Sequence, residues 1–255
     1  MIVAVSGAGG RMGVLVAEAI AEADDLELGP LYDPGHAGST IAGDTVGDDP
    51  DAVQSADVVV EFTVPDVVMA NLDRWHRLGV NAVVGTSGFD AERISVVAEV
   101  WSVGPPNCLI VPNFAVGAIV ALRLAEIAAP HFAAAEVIEL HHDQKVDAPS
   151  GTAMVTAERI AAAADQHRRT ESTELVPGAR GADVSGVPVH AVRLPGIVAD
   201  QIVMFGGAGE TLSIRHTSTD RSVFIPGVLA AVRGVATLDA GVTVGLEAVL
   251  ELGSS

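Results

Sequence analysis

IVAVSGAGGRMG, residues 2–13, decides how the rest of the chain is read. Ile2–Ser6 is a short β-branched run with the length and flanks of a buried strand. Gly7, Ala8, Gly9, Gly10, Arg11, Met12 and Gly13 follow, and residues 14–23 then carry helical spacing without a breaker. Residues 26–32 read as a second strand, ending at Asp33. Strand, glycine-rich turn, helix, strand and acid within about thirty residues is the order a dinucleotide-binding unit requires. Glycines let the backbone approach a pyrophosphate, and the helix start offers N–H groups and the positive end of a dipole. The spacing is G-x-x-G-x-x-G, with Gly9 adding the more usual G-x-G. The glycines alone could mark a tight turn. The flanking elements and Asp33 make cofactor binding the stronger reading. Asp33 is expected to accept hydrogen bonds from a ribose diol and to repel a 2′-phosphate, which Arg11 could partly offset. NADH, or use of both NADH and NADPH, is therefore expected over strict NADPH dependence.

The same alternation continues outward. Residues 34–50 are rich in Gly and Asp and read as a loop. Strands are expected at 57–62, at Asn81–Val84 and at 107–111, with helices at 65–78 and 90–103, the last N-capped by Asp90. That order predicts an α/β fold, a Rossmann-like doubly wound parallel sheet. Ligands in such sheets lie beyond the carboxyl ends of the strands. Gly85, Thr86 and Ser87 occupy one such end, and Val111, Pro112, Asn113 and Phe114 another. They are either ordinary turns or cofactor contacts, and contacts are favoured because they would share an edge with the glycine turn.

After Phe114 the pattern changes. Helices are expected at 116–129 and 151–167, a strand at 136–142, and a polar loop at 168–186. Three apolar strand candidates, at 187–194, 201–205 and 211–216, follow without helices between them. This is an α+β pattern with a mixed or antiparallel sheet, whose uncovered face would suit a partner subunit. Helix returns at 224–236, and a last apolar stretch at 242–250 is expected to rejoin the first domain. The organisation expected is 1–114 for dinucleotide binding, 115–221 for substrate binding and oligomerisation, and 222–255 returning to the first domain.

Composition narrows the function classes. The chain has 255 residues, 49% hydrophobic but only 4% aromatic, and a net charge of −19. Such a surface repels nucleic acid and anionic membranes, so neither is an expected partner. An anionic substrate would need a local basic pocket. Cys108 is the one cysteine. A lone thiol in an apolar run reads as buried and structural and fits a reducing cytoplasm. The apolar stretch 115–129 is broken by Arg123 and Glu126 and is not read as a membrane span.

The second informative stretch is ELHHDQKVDAPSGTA, residues 139–153. It joins His141 and His142 to Lys145, the sole lysine among fourteen Lys and Arg residues. Arginine keeps its proton in proteins, whereas lysine can be tuned to release one. Ser150 suits a helix N-cap, leaving the N–H groups of Gly151 and Thr152 near a helix start where a carboxylate could bind. The bland alternatives are one core histidine beside a hydrogen-bonding neighbour, and a plain capped helix. No metal site is expected, because HExxH, further cysteines and clustered carboxylates are missing. Together the groups suit a small dicarboxylate that receives a proton as a hydride arrives elsewhere.

E-L-H-H-x-x-K-x-D-A-P-S-G-T-A, following G-A-G-G-R-M-G, resembles the 4-hydroxy-tetrahydrodipicolinate (dihydrodipicolinate) reductase family, and is closer to its shorter, actinobacterial-type members. The likeness extends to Glu61-Phe62-Thr63-x-Pro65, Gly85-Thr86-Ser87, Pro112-Asn113-Phe114 and residues 206–227. The resemblance implies a homotetramer whose central sheets pair, and NADH- or NADPH-dependent reduction to tetrahydrodipicolinate, with loss of water, on the diaminopimelate route to lysine. By matching positions it implies His141 as proton donor or acceptor and Lys145 as proton donor. His142, Gly151 and Thr152 would bind substrate carboxylates. Gly7, Ala8, Gly9, Gly10, Arg11, Met12, Asp33, Gly85, Thr86, Ser87, Val111, Pro112, Asn113 and Phe114 would hold the cofactor. Two departures stand out. Val198-Ala199-Asp200-Gln201 replaces a run that carries His in many members, which leaves the role of Gln201 open. Pro34 stands where NADPH-preferring members often carry Arg after the acid. Two rival readings are a lyase forming a Schiff base on Lys145 and a non-catalytic NAD sensor.

Overall fold

β1 (Ile2–Ser6) runs into the glycine turn and α1 (Arg11–Glu22). This helix starts inside the turn, earlier than the spacing suggests, because glycines leave no side chains to register a period. β2 (Glu27–Tyr32) follows. The expected loop at 34–50 contains a short 3-10 turn, Pro34–His36, and the two-residue strands β3 (Thr40–Ile41) and β4 (Asp44–Thr45). The chain continues through β5 (Val58–Glu61), α2 (Val68–Leu78), β6 (Asn81–Val84), α3 (Ala91–Val100), β7 (Cys108–Ile110) and α4 (Val116–Ala128). It ends with β8 (Ala134–His141), α5 (Gly151–Ala163), β9 (Ala182–Val184), β10 (Val187–Arg193), β11 (Ala199–Gly207), β12 (Glu210–Ser218), α6 (Ile225–Gly234) and β13 (Val242–Val244). The structure, a computed structural model, describes residues 1–164, 172–239, 241–250 and 252. The helix expected to 167 ends at Ala163, with Ala164 already extended, and residues 165–171 of the expected helix end and following loop lie outside the described residues.

Two further helices differ from their expected bounds for local reasons. α2 begins after Pro65 because the chain first closes a turn on the Val64 carbonyl, which accepts from the N–H groups of Val67 and Val68. α3 stops at Val100, short of residue 103. Trp101 is buried there and donates its N–H to the Val97 carbonyl, and two prolines at 105 and 106 cannot prolong a helix.

The chain divides into two compact units. One comprises Met1–Val116 with Phe224–Ser255, the other Gly117–Val223. The first unit is built on a six-stranded sheet of order β13-β7-β6-β5-β1-β2, parallel throughout. Its central strands are buried on both faces, as crossover helices require, and so read as unbroken Val-rich runs. Ala4, Val59, Ala82, Val84, Cys108 and Ile110 face one way and share a core with Leu72, Trp75, Val97 and Trp101. Val3, Val5, Val58, Val60, Val83 and Leu109 alternate with them and are equally sealed. Burial pushes the Cys108 thiol well above its ordinary range, which leaves it an inert core group. β13 adds to the β7 edge through Val242, Thr243 and Val244.

The second unit holds a five-stranded mixed sheet of order β12-β11-β8-β10-β9. Only β8 and β10 pair in parallel; the other pairs are antiparallel. α5 packs on β8 and β10, and Ala153, Ala157 and Ile160 share a core with Ala135, Val137, Val189, Val203 and Phe205. β9 lies within the expected polar loop. It is an edge strand with two exposed residues of three, so its sequence shows no buried alternation. No helix among the described residues is long and apolar enough to cross a membrane.

Candidate active site

In the first unit the expected cofactor residues all follow the carboxyl ends of parallel strands. Residues 7–12 follow β1, Asp33 follows β2, residues 85–87 follow β6, and residues 111–114 follow β7. A parallel sheet brings these ends to one edge. The glycine turn is closed by Gly7 N–H to the Tyr32 carbonyl at 2.8 Å and Gly10 N–H to the Gly7 carbonyl at 3.0 Å. Gly10 caps α1, no side chain makes a capping hydrogen bond, and the first turn carries no acidic residue. Asp33 Oδ2 accepts from Gly9 N–H at 3.0 Å, and Oδ1 accepts from Gly35 N–H at 3.0 Å. The acid is thereby fixed beside the turn. An uncapped helix start, a glycine cradle and a fixed carboxylate suit a dinucleotide. His36, which sequence reading passed over, joins them. Its Nδ1 lies 3.1 Å from Asp33 Oδ2, and a side chain at Gly9 would strike its ring at 2.2 Å.

Behind that edge, Glu61 is fully buried and gathers Trp75 Nε1 at 2.9 Å, Asn71 Nδ2 and the Thr63 hydroxyl. Its main-chain carbonyl accepts from Gly85 N–H at 2.9 Å and from the Thr86 hydroxyl at 3.3 Å. The Phe62 and Phe114 rings meet with centroids 5.6 Å apart.

In the second unit the motif 139–153 spans the end of β8, a loop and the start of α5. Alternation along β8 turns Glu139 and His141 to the side that α5 covers. Glu139 is fully buried, His141 is half-buried and His142 is exposed. His141 Nδ1 lies 2.6 Å from Glu139 Oε2. A carboxylate only accepts, so Nδ1 carries a proton, and in the neutral ring Nε2 then keeps its lone pair. Burial pushes the His141 imidazole down in pKa. Glu139 opposes this, Lys145 and Arg193 add to it, and the net result lies below the ordinary histidine value. Burial pushes the Glu139 carboxyl up, but Arg193, His141 and the Ser150 N–H together hold it below the usual carboxylate value.

Lys145 Nζ donates to both oxygens of Asp147 at 2.8 Å, and that bond holds the Asp147 carboxyl low. Ser150 caps α5 as expected, its hydroxyl accepting from Ala153 N–H at 3.2 Å. The cap thus acts on Ala153 rather than on Gly151 or Thr152. Gln201, whose role the sequence left open, donates to the Thr156 hydroxyl on α5 at 3.0 Å. Asp200 is held instead by Arg215 and Thr217. The structure therefore assembles His141, Lys145 and the α5 start within one unit, and leaves His142 at its surface. Among the described residues no group of three or more His, Cys, Asp or Glu side chains is arranged to hold a metal ion.

Residues 1–114 match the family model for the N-terminal part of dihydrodipicolinate reductase, and residues 117–250 match that for its C-terminal part. The chain belongs to the dihydrodipicolinate reductase family. The 4-hydroxy-tetrahydrodipicolinate reductase of Mycobacterium marinum is 49% identical over 257 residues, covering 99% of this chain and 100% of that protein. That of Cutibacterium acnes is 49% identical over 256 residues, covering 98% of each. Among solved structures, a dipicolinate-bound dihydrodipicolinate reductase from Paenisporosarcina sp. TG-14 is 32% identical, with a TM-score of 0.86 over 98% of this chain and 99% of that one. The family resemblance read from the sequence is thereby borne out, as is the Rossmann-like sheet with a second, mixed-sheet unit. The sequence reading also missed Arg193, whose guanidinium makes two parallel bonds to Glu139, each at 2.8 Å. Glu139 itself was quoted in the motif and given no task.

Proposed function

We propose that this chain catalyses the NAD(P)H-dependent reduction of 4-hydroxy-tetrahydrodipicolinate to tetrahydrodipicolinate, with loss of water, on the diaminopimelate route to lysine. It is a pyridine-nucleotide-dependent oxidoreductase. The observation that carries the chemistry is the assembly of an oriented imidazole, an ammonium and a helix N-terminus on one unit. A reduced nicotinamide, when bound, supplies the hydride. Residues 7–12, Asp33, 85–87 and 111–114 bind and orient that cofactor. His142, Gly151 and Thr152 engage the substrate carboxylates, Lys145 donates the proton, and His141 Nε2 accepts a hydrogen bond or proton. Neither the lyase nor the sensor reading has an observation in its favour, and the matched relatives are named as reductases. The test is freshly prepared substrate with each nicotinamide. Substrate-dependent loss of nicotinamide absorbance is expected, and dipicolinate should compete with the substrate. No loss with either cofactor would end this reading.

The cofactor preference we propose leans to NADH or serves both. Asp33→Ala should raise the NADPH-to-NADH ratio of kcat/KM by roughly tenfold, because a like charge facing a 2′-phosphate is removed. Loss of the Asp33 bond to Gly9 disturbs both cofactors alike, so the ratio isolates the charge effect. An unchanged ratio would remove the role given to Asp33.

We also propose a homotetramer built on the sheet face of the second unit opposite α5. Ile138, Leu140, Val192, Ile202 and Met204 lie on that face by alternation, interspersed with the internally paired Glu136–His190 and Asp200–Arg215. Sedimentation as a monomer at micromolar concentration would count against it.

A further inference from the structure

Glu139 spends both carboxylate oxygens on the residues around it. Oε2 takes His141 Nδ1 at 2.6 Å and Arg193 Nη1 at 2.8 Å. Oε1 takes Arg193 Nη2 at 2.8 Å and the Ser150 N–H at 3.0 Å. Arg193 Nη2 also donates to the Asp147 carbonyl at 2.6 Å. One buried ion pair therefore touches the strand that carries His141, the loop that carries Lys145 and the cap of α5. The elements allow this because β8 and β10 pair in parallel with His141 beside Arg193.

A buried carboxylate is costly unless charge-assisted bonds answer it. Arg193 alone could answer this one. A buried pair kept only for stability is often replaceable by apolar residues. Here two of the four bonds go beyond the pair, to the imidazole and to the helix cap. On the same sheet, Glu136 is answered by Arg180 and His190, and Asp200 by Arg215 and Thr217. Glu139 is distinguished by its complete burial and by the Ser150 N–H, which ties it to the start of α5 as well as to an arginine and an imidazole.

We infer that Glu139 is the positioning residue of the acid half of the site: it fixes His141 as the Nδ1–H tautomer with Nε2 bare, sets the Lys145 loop through Arg193, and holds the start of α5 directly through the Ser150 N–H. Glu139 acts through His141 and touches no reacting atom. The inference rests on the reductase reading for the tasks of His141 and Lys145, but its geometry can be tested apart from activity. The charged groups around His141 are Glu139 on its own strand, Arg193 on the neighbouring strand, and Lys145 with Asp147 in the loop.

The test has two arms. In nitrogen-15 spectra of the wild-type protein at neutral pH, assigned by difference with His141→Gln, His141 should show a protonated Nδ1 and an unprotonated Nε2. An Nε2–H tautomer or an imidazolium there overturns the inference, whether or not the protein reduces the substrate. In the second arm Glu139→Gln should lower kcat by roughly 10- to 100-fold while the KM for the nicotinamide stays unchanged. The acid limb of its kcat/KM profile should move to lower pH, because the carboxylate that favours imidazolium is gone. A profile and tautomer identical to wild type in a folded Glu139→Gln protein overturn the inference as well. If that variant does not fold, the wild-type tautomer decides. Activity missing from wild type, with the expected tautomer present, would count against the reductase reading alone.

Discussion

Replacing Lys145 by alanine or by arginine is expected to lower kcat by about 100- to 10,000-fold, the usual contribution of a positioned general acid. The two variants should part company in binding. Arginine keeps the positive charge and a set of N–H donors, so the KM for the dicarboxylate should stay within a few-fold of wild type. It does not release its proton, so turnover is lost. Alanine loses both properties, and its KM should rise as well. The structure adds a reason to expect a clean result. Among the described residues Lys145 Nζ binds the Asp147 carboxylate, which is exposed, so its removal leaves no buried charge behind. Circular dichroism and thermal melting should be unchanged. Arginine at 145 with near-normal kcat would exclude Lys145 as proton donor and leave it a purely electrostatic substrate contact.

His141 has a different expected signature. Burial lowers its pKa below the ordinary histidine value, against the opposing pull of Glu139. Protonation as pH falls would cost it the bare Nε2, so kcat/KM should decline on the acid side. Lys145 variants should retain that limb.

Legibility in the sequence followed the range of the interactions. The glycine turn, the Val-rich strands and the Ser150 cap are written in consecutive residues, and the structure places each where local chemistry puts it. β9 escaped because an edge strand with little burial has no pattern to read. The entry of α1 into the turn escaped because glycines carry no period. The pairing of Glu139 with Arg193 was out of reach for a different reason. It joins residues 54 positions apart, through a parallel register between two strands whose order in the sheet no local spacing specifies. Arg193 looked like any of thirteen arginines until β10 was laid beside β8. A Glu two residues before a half-buried His was the available signal. In a strand those two share a face, and a carboxylate beside an imidazole fixes its tautomer.

Gly13→Ala is expected to damage the glycine turn of the first unit severely. A side chain there would place its Cβ 2.1 Å from the Gly7 carbonyl oxygen and 2.8 Å from the Ala8 Cα. Both obstacles are main chain, so no rotamer change can relieve the clash. The glycine turn or the helix must shift. The turn is tied on both sides, by Gly7 N–H to the Tyr32 carbonyl and by Gly9 N–H to Asp33, so a shift disturbs the whole candidate cofactor cradle. Alanine's better helix propensity, worth about 1 kcal/mol over glycine, works in the opposite direction. Overpacking of a fixed core typically costs about 1–3 kcal/mol, and this contact is severe enough to sit at the upper end. The net loss should lower Tm by several degrees, at roughly 2–4 °C per kcal/mol for a chain of this size. The KM for both nicotinamides should rise together, in contrast to the selective effect expected at Asp33. Gly47→Ala is the control. Its nearest obstacle is the Leu31 carbonyl at 3.8 Å, an ordinary contact, and it should melt and bind like wild type. A Gly13→Ala protein with unaltered Tm and unaltered KM would mean that the turn is not the rigid cradle these contacts describe.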